Sequence, residues 1–71
     1  MRLHPSDPSS LPDLLGFLRE HGCIAYPVEG TDEIAAMVPD VSSTEEARVI
    51  RGLVERWRCV SPLVAVEVSE S

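Results

Sequence analysis

At 71 residues the chain is one small domain, and 44% hydrophobic with 25% charged residues are the proportions of an ordinary globular protein. A net charge of −6 argues against a general nucleic-acid coat, because phosphates are bound by an excess of Lys and Arg. No apolar run approaches the roughly 18 residues of a membrane-spanning helix, and the N-terminus lacks the apolar core of a signal peptide, so a cytoplasmic location without membrane partners is expected.

Residues 1–9 carry Pro5 and Pro8 among Ser6, Asp7 and Ser9, which reads as a flexible N-terminal tail. A single domain over 10–68 follows. Ser10 with Asp13 resembles a capping pair, and Leu11, Leu14, Leu15 and Leu18 recur at helical spacing up to Gly22. The first helix is therefore expected over Leu11–His21, closed by a C′ glycine. Cys23–Val28 and Glu33–Val38 read as strands joined by a turn at Gly30, Thr31 and Asp32. Pro27 cannot donate to a ladder, which places the first of these strands at a sheet edge.

The second helix carries the strongest signal. Ser43 with Glu46 forms a capping box, with Ser42 and Glu45 as the competing register. Ala47, Ile50, Leu53, Val54 and Trp57 lie on one face and Arg48, Arg51, Glu55 and Arg58 on the other. Trp57 is expected as the main core anchor. Pro62 ends the helical region, and the β-branched run Leu63–Val68 reads as a strand, leaving 69–71 as a C-terminal tail.

Two strands joined by a helix favour a parallel, right-handed crossover. These pieces predict an α+β fold: a single-domain αββαβ two-layer sandwich, with a three-stranded mixed sheet of order 1-2-3 and both helices on one face. Period-two alternation divides the strands. Ile24, Tyr26, Val28, Ile34, Ala36, Val38, Val64, Val66 and Val68 are expected beneath the helices. Cys23, Ala25, Pro27, Ala35, Met37, Leu63 and Ala65 are expected on the open face. Cys23 and Cys59 then lie at opposite ends of the sheet, too far apart for the roughly 7 Å between α-carbons that a disulfide needs, so two free thiols are expected.

Two surfaces are candidates for function. Ala35, Met37, Leu63 and Ala65 form a flat patch suited to close approach by a protein partner or a second copy. The free edge of the last strand, flanked by Glu67 and Glu70, offers strand addition to a second copy. Arg48, Arg51 and Arg58 form an arginine stripe that suits an acidic partner. The absence of accompanying aromatics disfavours nucleic acid, and pairs such as Glu45 with Arg48 and Glu55 with Arg58 equally describe a solvated helix face. No catalytic, metal-binding or cofactor motif is present in the sequence. The reading is a non-enzymatic interaction module, self-associating through its sheet face or free edge, with nucleic-acid or acidic-partner binding through the Arg face of the second helix as the alternative.

Glu45-Glu46-Ala47-Arg48, Trp57, and Pro62 leading into Val64-Ala65-Val66-Glu67-Val68 resemble the corresponding segment of small uncharacterised proteins from GC-rich bacteria. That resemblance spans about a third of the chain and implies an αββαβ fold with no assigned activity. The order of elements also resembles the type II KH arrangement, though the G-x-x-G loop of that family is missing here. It resembles equally a ferredoxin-like fold lacking its first strand.

Overall fold

The computed structural model describes residues 1–69. Its elements run β1 (Arg2–Pro5), a 3-10 turn (Pro8–Ser10), α1 (Leu11–Glu20), β2 (Ile24–Val28), β3 (Glu33–Met37), α2 (Ser43–Val60) and β4 (Val66–Ser69). The fold is α+β, with two helices and a four-stranded antiparallel sheet of order β2-β3-β1-β4. The three-stranded mixed sheet of order 1-2-3 is therefore corrected. The first strand lies where a flexible tail was expected.

Arg2–Pro5 is too short, and holds too few apolar residues, to register as a strand by alternation. Its neighbours make it one. Leu3 is 0% exposed and is paired with Ile34 on one side and Val68 on the other. Pro5 is also fully buried and ends the strand. The crossover from β3 through α2 to β4 does leave those two strands pointing the same way, but β1 stands between them and runs opposite to both. The element order βαββαβ with split βαβ units is that of the ferredoxin-like motif, with its first strand present.

One cluster holds both helices to one face: Leu14 and Leu18 of α1, Ile50, Leu53, Val54 and Trp57 of α2, and Leu3, Cys23, Ala25, Ile34 and Ala36 beneath them. Trp57 is the largest buried side chain, and its Nε1 donates to Asp13 Oδ2 at 3.0 Å, tying α2 to the first turn of α1.

Local chemistry sets the helix ends. Gly22, at φ 86°, allows a Schellman closure of α1, with Cys23 N donating to Leu18 O at 3.1 Å and Gly22 N to Arg19 O at 3.2 Å. Ser10 makes no side-chain cap; Asp7 caps the preceding turn instead, accepting from Ser9 N at 3.0 Å. At α2 the competing register prevails. Ser42 Oγ accepts from Glu45 N at 3.2 Å. Glu46 is thereby released to the end of the sheet, where its carboxylate accepts from Val38 N at 3.5 Å and lies 3.8 Å from the Met1 amino group.

The division of faces holds for β3 and is reversed for β2. Ile34 and Ala36 are buried, but so are Cys23 and Ala25, while Ile24 and Tyr26 stand outside. Hairpin register is the reason. Val28 pairs with Glu33 across the four residues 29–32, so Ala25 opposes Ala36. A loop one residue longer or shorter would turn every β2 side chain over.

Both cysteines are free thiols, Cys23 buried and Cys59 exposed. Burial first, and the Glu46 carboxylate second, push the Cys23 thiol above its ordinary range. Cys59 is expected to react with iodoacetamide much faster than Cys23 in the folded protein, as mass spectrometry of the alkylated chain will read. The protonated Cys23 thiol favours the folded state at neutral pH. That contribution is lost as pH rises past the ordinary thiol value towards Cys23's raised one, and a Cys23→Ala variant should lack this alkaline decline.

Candidate functional site

Register builds the open face of the sheet. Ile24 lies opposite Met37, and Tyr26 opposite Ala35. These cross-strand pairs place three large apolar side chains side by side, Ile24 and Tyr26 at 49% and Met37 at 42% exposure. The β1 half of the same face is polar. Arg2 Nη1 donates to Glu33 Oε1 at 3.0 Å, and His4 Nδ1 lies 3.7 Å from Glu33 Oε2. His4 also pairs in register with Glu67. The face is thus two regions, apolar over β2 and the part of β3 that holds Ala35 and Met37, and polar over β1, β4 and the Glu33 end of β3.

The expected patch of Ala35, Met37, Leu63 and Ala65 is divided by this topology. Ala35 and Met37 belong to the apolar stripe. Leu63, 96% exposed, and Ala65 precede β4, in the segment after α2. Ala65 exchanges hydrogen bonds with Ser6, at the far end of β1 from the Met1 and Ala36 pairing beside Met37. Ile24 and Tyr26 take their place as neighbours of Met37. The signal that finds them is the four-residue hairpin loop, whose even length sets the parity of β2.

The arginine stripe is divided as well. Arg48 lies on the outer surface with Glu45 Oε2 at 3.6 Å, and Arg58 meets Glu55 Oε1 at 3.8 Å, both as intrahelical i,i+3 pairs. Arg58 Nε also donates to Val64 O at 3.2 Å. Arg51 and Arg58, with Val54 and Glu55, overhang Val66 and Val68 to line a groove of about 230 Å³ between α2 and β4. A second cleft of about 280 Å³ lies between the helices, bounded by Asp13, Phe17, Glu20 and Val60. Trp57 forms its floor, with its polar atom already engaged by Asp13.

Among the described residues no group of three His, Cys, Asp or Glu side chains is placed to hold a metal, and no helix is long and apolar enough to cross a membrane. A scan of protein-family models, a search of curated proteins and a search of solved structures each return no match for this chain. Its function is therefore read from these surfaces.

Proposed function

We propose that this chain is a non-catalytic interaction module that pairs with a second copy of itself through the open sheet face, centred on Ile24, Tyr26 and Met37. The observation that carries this reading is the contiguity of three half-exposed large apolar side chains on one flat face. An exposed apolar patch rimmed by charge is the form of an interaction site. A second copy suits it because the face is two-part. A two-fold axis can set apolar stripe on apolar stripe, leaving Arg2, His4 and Glu67 as a polar rim.

The wild type is expected to sediment as a dimer at tens of micromolar. Met37→Lys and Ile24→Lys should shift it to monomer while far-UV circular dichroism and the melting transition persist. Leu63→Lys should leave the association unchanged, because Leu63 lies off this face. Two chains of net charge −6 repel at long range, so added salt should strengthen the dimer rather than weaken it. A wild type that stays monomeric at several hundred micromolar would reject self-association.

A further inference from the structure

We propose that the free edge of β4, with the groove above it, takes up an extended acidic segment of a partner protein by antiparallel strand addition. The two edges of this sheet differ. Ser6 N donates to Ala65 O at 2.7 Å, which sets the phase of the ladder between β1 and β4. Hydrogen-bonded pairs alternate with non-bonded pairs in an antiparallel ladder. His4 with Glu67 and Arg2 with Ser69 are then the bonded pairs, and Val66 and Val68 turn their N–H and C=O groups away from β1. The other side of β1 agrees. Met1 and Ala36 exchange both main-chain bonds at 2.8 Å, so Leu3 faces β3, and its partner Val68 is left facing outward.

The same count along β3 turns Ala25 and Pro27 of β2 to the opposite edge, where Pro27 has no N–H to offer. Among the described residues, only β4 therefore presents two successive outward positions, Val66 and Val68, with complete donor and acceptor pairs.

The side-chain surface above that edge selects the occupant. Val66 and Val68 floor the groove, and Arg51, Glu55 and Arg58 rim it, with Glu55 set 3.8 Å from Arg58. Arg51 makes no ion pair among the described residues, so the rim keeps one net positive charge in a chain of −6 and attracts negative charge where most of the surface repels it. In an added strand, side chains on alternate residues enter the groove. Arg51 and Arg58 are seven positions apart, about 10 Å of helical rise; among the even spacings that keep strand side chains on one face, four residues at about 13 Å come nearest. The fitting segment is thus acidic at positions one and five and apolar at position three, over the valines. In the two-fold register centred on Glu67 a second copy fits this edge poorly. The two-fold register that pairs Val66 with the second copy's Val68 places Glu67 directly opposite its own counterpart.

The test is fluorescence anisotropy with a fluorescein-labelled Ser-Glu-Thr-Val-Thr-Glu-Ser peptide at low and moderate salt. Saturable binding is expected. It should weaken about tenfold between 50 and 300 mM salt, about tenfold with Arg51→Glu, and about tenfold when the central valine of the peptide is N-methylated, which removes one ladder donor. Arg51 is on the exposed side of α2, so that variant keeps the fold. Met37→Lys should bind the peptide unchanged, which keeps this surface distinct from the sheet-face dimer. No binding at low salt to the folded wild type would overturn the proposal. Equal binding of the N-methylated peptide would also overturn it, by reducing the contact to charge alone. A dimer abolished by Val68→Pro, with the peptide inert, would assign the edge to a second copy instead.

Discussion

Trp57→Ala is expected to bring this domain to the edge of unfolding. Truncating a fully buried tryptophan costs about 3–5 kcal/mol. A domain of 71 residues has a total stability of about 4–10 kcal/mol. Trp57 ties both helices together, because its ring lies in the core cluster while its Nε1 reaches Asp13 on α1. Trp57→Phe separates the two roles: it keeps most of the volume and loses the hydrogen bond, for a cost of about 1–2 kcal/mol. Urea unfolding followed by circular dichroism reads both variants. A wild-type midpoint for Trp57→Ala would remove Trp57 from its place in the core.

Leu3→Asp should be as damaging, although it falls within residues 1–9, which read in sequence as a tail. Leu3 sits in the middle of the sheet between β3 and β4, fully buried beneath the helices. An unpaired carboxylate there costs several kcal/mol, more than the loss of a leucine by itself. Because β1 is the only strand joining β3 to β4, its loss also strips β4 of its ladder. Thermal melting by circular dichroism and amide exchange of β4 are the measurements. An unaltered melting transition would show that residues 2–5 do not form an interior strand. Leu3→Ala, at about 2–5 kcal/mol, gives a graded version of the same result.

Much of this structure is legible residue by residue. Both helices and the hairpin lie within two residues of where helical spacing, capping pairs, Gly22 and Pro27 put them. Ser42 displaced Ser43 as the cap of α2 because it leaves Glu46 to meet Val38 and the Met1 amino group. That gain comes from the sheet and cannot be seen within the helix. The last strand begins later than expected, at Val66 rather than Leu63, since Val64 N turns back to Ser61 O at 3.2 Å before the ladder starts. Ser69 extends it into the expected C-terminal tail, the rest of which, 70–71, lies outside the described residues. At the candidate surfaces, Met37 and Arg51 were legible as exposed, while Arg58 is half-buried against Val64. Ile24 and Tyr26 were not, because bulky residues favour the core and only the loop length turns them outward.

The sequence alone determined what is local: two amphipathic helices, a hairpin with Pro27 at the edge, a tryptophan core anchor and an arginine-bearing outer helix face. These depend on the period of side chains along one element and on capping or turn residues a few positions away. The tertiary structure decided what is paired. Residues 2–5 became one of the two interior strands, because burial of Leu3 and hydrogen bonds from both flanking strands outweigh a weak local preference. That insertion made the sheet antiparallel throughout, gave β4 a new neighbour while leaving it at an edge, opened the groove beneath Arg51, and left Leu63 and Met37 on separate parts of the surface. Strand pairing links residues dozens of positions apart, and its free energy exists only once both partners are in place.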